Sequence, residues 1–217
     1  MREPELPLGS PGDSPTLPDG FFLHAGAVDA AGQERLRAAL EGVLRAAPPV
    51  RTRVKGGGMT SAAMTNCGDA GWWSDASGYR YVTTNPATGA PWPPIPVEFR
   101  NYVQRVVVKG PWPDFVPDAC LINFYEPRAK MGLHQDRDEK DFAHPIVTVC
   151  LGDAADFMVG GFARGDKAVP MKVRSGDVVV MGGASRMRFH GIRKIYPGTS
   201  PLAGINGRYS LTFRKAL

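Results

Sequence analysis

The stretch Arg208-Tyr209-Ser210-Leu211-Thr212-Phe213-Arg214 alternates polar and apolar side chains without a break. A period of two puts Arg208, Ser210, Thr212 and Arg214 on one face of a strand and Tyr209, Leu211 and Phe213 on the other. Two readings of that strand stay open. It is an exposed edge with a solvated basic face, or an interior strand whose two arginines meet an anion, because inward guanidiniums are costly without one. Upstream of it, Cys120–Tyr125, Ile146–Leu151, Ala155–Val159, Met171–Val173, Val178–Met181 and Met187–His190 are short β-rich runs broken by Gly, Pro and Asp. Seven strands in roughly a hundred residues predict an antiparallel barrel or jelly roll over residues 111–217.

The first half reads differently. Residues 1–20 hold five prolines and few bulky apolar side chains, too few to offset their ordering entropy, and are expected to be a mobile tail. After a short strand at Phe21–Leu23, Asp29 is placed to cap a helix whose Leu36, Leu40, Val43 and Leu44 share a face and which stops before Pro48-Pro49. Residues 50–92 bring Arg51, Arg53 and Lys55, the hinge Gly56-Gly57-Gly58, and then Trp72, Trp73, Tyr79, Tyr81 and Trp92. That segment reads as a flexible, basic, aromatic surface, with the three cations placed to grip phosphates. A second helix is predicted from Pro96 to about Lys109, with Phe99, Val103, Val106 and Val107 at helical spacing.

With 217 residues, 43% hydrophobic and 22% charged, the chain holds one sizeable core and is not disordered overall. Its 26 glycines and 20 prolines favour turns and short strands over a helical bundle. No apolar run exceeds four residues, and MREPELPLGS lacks the apolar stretch of a signal peptide, so neither secretion nor membrane spanning is expected. Cys67, Cys120 and Cys150 form no CxxC pair and leave an odd count, which argues for reduced, structural thiols in the cytoplasm rather than a disulfide framework or zinc ribbon. The net charge of +5 lies beyond the first fifth of the chain: residues 1–47 carry four basic and seven acidic groups, residues 111–217 fifteen and eleven. A basic chain of this kind suits a phosphate-bearing partner, although many basic proteins bind no nucleic acid.

Four histidines are present, and one of them forms His134-Gln135-Asp136. An H-x-D pair on an extended segment turns both side chains to one side, where they can share a metal. Against 14 aspartates such a pair arises by chance roughly one time in four, so a third ligand is needed. His190, in Arg188-Phe-His-Gly191 on a late strand, can return across a jelly roll to complete a two-histidine, one-carboxylate face with open positions. Taken alone, His190 reads more readily as a satisfied core or turn histidine than as a ligand. A diacid that chelates iron and gives its other carboxylate to an arginine accounts for the triad and the arginine strand together.

Several blocks in order carry a specific resemblance: Ala63-Met-Thr-Asn-Cys-Gly68, Gly71-Trp72, Gly78-Tyr79, Pro117-Asp-Ala-Cys-Leu-Ile-Asn123, Leu133-His-Gln-Asp136 with Asp138-Glu139, Gly176-Asp-Val-Val179, Gly182-Gly183, Ser185-Arg186, His190-Gly191 and Leu211-Thr-Phe-Arg214. From about residue 21 to 215 the chain resembles the AlkB family of Fe(II)- and 2-oxoglutarate-dependent dioxygenases, closest to the bacterial type. The resemblance implies an α+β, mainly β chain: a double-stranded β-helix (jelly roll) core over 111–217, preceded over 21–110 by a helical scaffold and a nucleotide-recognition lid at about 48–92. It implies that His134, Asp136 and His190 bind iron, that Asn123, Tyr125, Arg208, Ser210 and Arg214 hold 2-oxoglutarate, with Arg208 on its distal carboxylate, and that Met64, Trp72, Tyr79, Tyr81, Asp138 and Arg164 surround the damaged base.

The implied reaction consumes O2 and 2-oxoglutarate and removes methyl groups from adenine N1 or cytosine N3 as formaldehyde, with succinate and CO2 as co-products. A methylated, cationic ring pairs weakly and is less costly to flip. It is expected to stack between Trp72 and His134, with Asp138 complementing its charge; without the resemblance, Trp72 and Tyr79 read as core packing. The partners implied are alkylated single- or double-stranded DNA, with RNA as a further one, and a cytoplasmic monomer is expected. Three positions depart from the family pattern: Ser210 stands where asparagine is usual, leaving one cosubstrate hydrogen bond lost or water-mediated, Met181 replaces a tryptophan, and Arg188 an apolar aromatic. Two rivals are an AlkB-like enzyme acting mainly on RNA or protein and a noncatalytic nucleic-acid-binding jelly roll.

Overall fold

The computed structural model describes residues 17–54 and 56–217. Most of the stretch read as a tail, and Lys55, therefore lie outside the described residues. The first half contains β1 (Phe21–His24), α1 (Ala30–Ala46), β2 (Ala63–Gly68), β3 (Gly71–Asp75), β4 (Gly78–Val82) and α2 (Val97–Val107). The second contains β5 (Ala119–Tyr125), β6 (Met131–His134), β7 (Ile146–Gly152), β8 (Ala154–Val159), β9 (Val169–Val173), β10 (Val178–Met181), β11 (His190–Tyr196) and β12 (Arg208–Arg214).

The strand Arg208–Arg214 is interior. β12 pairs antiparallel with β5 on one side and β7 on the other, in a six-stranded sheet of order β1-β10-β7-β12-β5-β2. Its Leu211 and Phe213 face α1 and α2, packing with Leu36, Leu40, Phe99 and Val103, and Phe99 meets Phe213 edge-on at 6.0 Å. Arg208, Ser210, Thr212 and Arg214 are all buried, on the opposite face. A second sheet, of order β6-β11-β8-β9, closes over that face, and Tyr125, Val179 and Met181 pack there against Phe157, Met171, Ile192 and Ile195. Two facing antiparallel sheets make the jelly roll. The edge-strand reading of 208–214 is thereby excluded.

Asp29 caps α1 as expected, its Oδ1 accepting the Gly32 N–H at 2.7 Å, an interaction that contributes about 1 kcal/mol. Two corrections follow from pairing that the local sequence conceals. The main sheet does not begin after residue 110: β1 pairs with β10, and β2, from the segment read as flexible surface, pairs with β5 residue for residue. The predicted strand Met187–His190 is instead a turn after the 3-10 segment Gly183–Ser185, and the strand starts at His190 and runs on to Tyr196. A bulge between Ile192 and Lys194 breaks its alternation, which hid it from a period-two reading. No helix among the described residues is long and apolar enough to cross a membrane.

Candidate active site

β6 ends on His134 and β11 begins on His190, and the two are directly paired. The strands approach so closely that a Cβ on Gly191 would lie 2.5 Å from the Met131 carbonyl oxygen and 2.9 Å from that of Gly132; only glycine fits there. Asp136 follows two residues after β6, with Oδ1 3.6 Å from His134 Nε2 and Oδ2 3.8 Å from His190 Nε2. One ligand atom from each of the three lies within 4.8 Å of the others. His134 Nδ1 sits 3.0 Å from the Gly132 carbonyl and His190 Nδ1 3.1 Å from that of Arg188. Those acceptors assign the proton to Nδ1 in both rings and leave each Nε2 lone pair facing Asp136.

The charges around the triad are set for metal binding. Burial opposes ionisation of Asp136, but Arg214, His190 and His134 hold its carboxyl well below the usual carboxylate range. Arg214 Nε and Nη2 donate to Asp136 Oδ2 at 3.1 and 2.5 Å. Burial, and then His134, lowers His190 to about 4, so its imidazole is neutral at ordinary pH. Two imidazoles and one carboxylate on one side of a site suit Fe(II) with open positions.

The triad opens into a cavity of about 600 Å3. Its main-sheet wall includes Asn123, Tyr125, Ser210 and Arg214, and Met64, Trp72, Tyr79, Asp138 and Arg164 also line it. Two predicted residues do not. Tyr81 shares a face of β4 with cavity-lining Tyr79, but its hydroxyl donates to Glu139 Oε1 at 2.6 Å. Arg208 is completely buried, with Nη1 donating to the Asp153 carbonyl at 3.2 Å and Nη2 to Cys150 Sγ at 2.7 Å. Its Nε has no partner among the described residues, and neither has the buried Oδ1 of Asn123. A buried guanidinium with no carboxylate and a spare donor, next on β12 to cavity-lining Ser210, fits an anionic cosubstrate. Trp72 is half-buried and Tyr79 exposed, which is not core packing; the rings stack at 5.4 Å, so the surface expected to face a base with His134 is covered by Tyr79 on one side. Trp72 Nε1 donates to Asp138 Oδ2 at 2.7 Å.

Sequence reading assigned no role to Arg186 or Glu139, yet both organise the site. Arg186 donates to the Asp136 carbonyl at 2.6 Å, to Glu139 Oε2 at 2.9 Å and to the His144 carbonyl at 3.2 Å. Glu139 also faces Arg214 Nε at 3.1 Å. The group ties the Asp136 loop to the turn before His190. The signal was present in the blocks Asp138-Glu139 and Ser185-Arg186, but a charged residue in a loop is ordinarily solvated. Of the departures, Met181 fills the space between the sheets, and the Arg188 guanidinium lies over the Phe162 ring at 4.7 Å.

Residues 24–214 match the 2OG-Fe(II) oxygenase superfamily. The chain is 50% identical over 169 residues to the alpha-ketoglutarate-dependent dioxygenase AlkB of Escherichia coli, covering 77% of this chain and 78% of that one. It is 42% identical over 201 residues to an AlkB homolog of Caulobacter vibrioides, covering 93% and 90%. The solved structure of OsALKBH1 superposes with a TM-score of 0.75 at 30% identity, over 92% of this chain and 98% of that one. With the His-Asp-His cluster in place at the cavity, the chain belongs to the AlkB family of Fe(II)- and 2-oxoglutarate-dependent dioxygenases, whose activity is oxidative demethylation of DNA.

Proposed function

We propose that this dioxygenase removes methyl groups from 1-methyladenine and 3-methylcytosine in DNA, restoring the bases directly. The observation that carries the reading is the His134-Asp136-His190 cluster opening into a cavity lined by Trp72, Tyr79 and Asp138. Fe(II) with 2-oxoglutarate supplies the O2-dependent oxidation of the methyl C–H bond, with succinate and CO2 as co-products. The protein's part is to bind, orient and shield. His134, Asp136 and His190 hold the metal; Asn123, Tyr125, Ser210, Arg214 and the deeper Arg208 hold the cosubstrate. Trp72, Tyr79 and Met64 enclose the flipped base against His134, and Arg164 steadies it at the rim. Asp138, on which Trp72 is anchored, places a negative charge beside the cationic ring.

In this reading the β3–β4 hairpin within residues 48–92 is the lid, α1 and α2 within 21–110 are the scaffold, residues 111–217 supply most of the catalytic core with β1 and β2 completing its main sheet, and the chain acts as a cytoplasmic monomer; three free, buried cysteines accord with a reducing compartment. The test is formaldehyde release from matched methylated single-stranded DNA and RNA, with and without iron or 2-oxoglutarate. Release that needs both and favours DNA is the expected result. Release that ignores 2-oxoglutarate, or that occurs only from RNA, overturns the proposal.

A further inference from the structure

The loop Gly160–Ala168 joins β8 to β9, and its Arg164 lines the cavity. Two residues earlier, Phe162 keeps 56% of its surface exposed. A single exposed ring is ordinary on a protein surface; what sets this one apart is the cation fixed over it and the unpaired cations around it. Arg188, the residue that departs from the family's apolar aromatic, covers one side of that ring at 4.7 Å. The guanidinium is fixed, with Nη1 donating to the Gly160 carbonyl at 3.0 Å and a buried Nε that has no partner among the described residues. The Arg188 carbonyl in turn lies 3.1 Å from His190 Nδ1, which ties this arrangement to the triad.

The surroundings are cationic. Arg164 donates to the Leu133 carbonyl at 2.6 Å, and among the described residues neither it nor Arg188 has a carboxylate within ion-pair distance. The loop's one acid, Asp166, accepts the Ala163 N–H at 2.9 Å. Arg188 and Lys167 also line a second hollow of about 200 Å3. A flat, sequence-tolerant π-surface joined to an anion satisfies all of these groups at once. An apolar peptide would cover the ring but leave the cations without partners.

We propose that Phe162, backed by Arg188, is a stacking subsite for an unpaired base adjacent to the target nucleotide, with the adjoining phosphate held by Arg188 and Lys167. This deepens the nucleic-acid reading given above and rests on it. Phe162 and Arg164 are two residues apart, at most about 7 Å between Cα atoms, so the subsite lies beside the cavity mouth. Stacking of one base on an aromatic side chain is worth roughly 5- to 100-fold in affinity.

The test is direct binding, not turnover, of methylated single-stranded heptanucleotides to the wild type and to Phe162→Ala, with each flanking nucleotide replaced in turn by an abasic one. Phe162 is exposed, so the variant is expected to melt like the wild type. At one flanking position, base removal should weaken wild-type binding roughly 5- to 100-fold, Phe162→Ala should lose the same on the intact strand, and the two changes together should cost no more than either alone. Unchanged binding by Phe162→Ala, or losses that multiply at every position, overturn the subsite. The two proposals fail separately: a wild type that demethylates while Phe162→Ala binds normally removes the subsite alone. A wild type that releases no formaldehyde yet shows the coupled binding loss removes the demethylase reading alone.

Discussion

At one end of the cavity His134 and His190 stand on paired strands, and Asp136 is held by Arg214 at its carboxylate and by Arg186 at its carbonyl. At the other end Trp72 and Tyr79 stand on β3 and β4, a two-stranded hairpin that is a sheet of its own. The hairpin is tied to its surroundings by a handful of polar contacts: Asn66 on both backbone groups of Trp72, Trp92 Nε1 on the Val82 carbonyl, Ser74 Oγ on the Arg53 carbonyl, and the pairs Trp72–Asp138 and Tyr81–Glu139. The hairpin packs against β2 and β5 through β3, but it lacks the continuous pairing on both sides that strands inside the jelly roll have, and those open only with the whole fold. The metal end thus has one geometry, and the base end can adjust at modest cost. Because Asp138 and Glu139 sit two and three residues after Asp136, the adjustable end is fastened to the loop that carries the fixed one.

That contrast breaks if the metal end tolerates change. Asp136→Ala removes the anionic ligand, and turnover is expected to fall by at least about a thousandfold, since loss of mere supporting partners already costs 10- to 100-fold. Formaldehyde release at ordinary iron concentrations checks it; near-native activity would remove the triad. A second measurement uses the metal-free protein. His190 titrates near 6.5 in the unfolded chain and at about 4 in the fold, because of burial and then His134. Between those values the unfolded chain binds the extra proton, so stability is fully present above about pH 6.5 and declines as pH falls toward 4, by up to roughly 3 kcal/mol. His190→Gln should flatten that decline in denaturant titrations, and an unaltered acid slope would show that His190 is not the group responsible.

The same division governs what could be read from residues alone. The alternation of 208–214, the capping Asp29 and the stripe of Leu36, Leu40 and Val43 were legible because each is a local pattern answered by a local periodicity. The triad was legible as residue types and spacing, and the pairing of His134 with His190 supplied the rest. β2, Ala63-Met-Thr-Asn-Cys-Gly68, has one β-branched residue and is a strand because β5 pairs with it, which is tertiary context overriding propensity. Tyr81 and Arg208 were assigned to the ligand space by resemblance. Which way a side chain turns off a short hairpin, or how deep an arginine sits, depends on partners such as Glu139 and Cys150 that lie 58 residues away in both cases.

At the adjustable end the expected effect is smaller and falls on binding. Trp72→Ala removes a ring that is half-buried, stacked on Tyr79 and anchored to Asp138. Affinity for a methylated oligonucleotide should drop about tenfold, while unfolding free energy changes by at most about 1 kcal/mol. Paired binding and melting measurements on this variant sharpen the contrast. A large loss of stability would mean that the hairpin is part of the core and not an adjustable wall.

The smallest effect concerns the basic segment that precedes Gly56-Gly57-Gly58. Arg51 is exposed but not free: its Nη2 lies 2.6 Å from Glu126 Oε2. Exposed pairs of this kind are worth about 0.2–1 kcal/mol, so a phosphate can displace Glu126, but the exchange cancels part of the gain. Arg53 is exposed and Lys55 lies outside the described residues. If the segment grips phosphates, Arg51→Ala with Arg53→Ala should weaken oligonucleotide binding a few-fold and flatten log K against log salt by about 1, at roughly 0.7 per phosphate on single strands. Glu126→Ala should act in the opposite direction, because it releases Arg51 for the phosphate: binding tightens about twofold at low salt and the slope steepens by about 0.7. A solvated loop with no contact to the strand would give three parallel lines. Opposite signs are also what a general change in net charge gives, since one substitution removes a cation and the other an anion, so the background must be measured: Asp114→Ala, an exposed acid with no ion-pair partner among the described residues, is the control, and only an effect of Glu126→Ala beyond it assigns the pair.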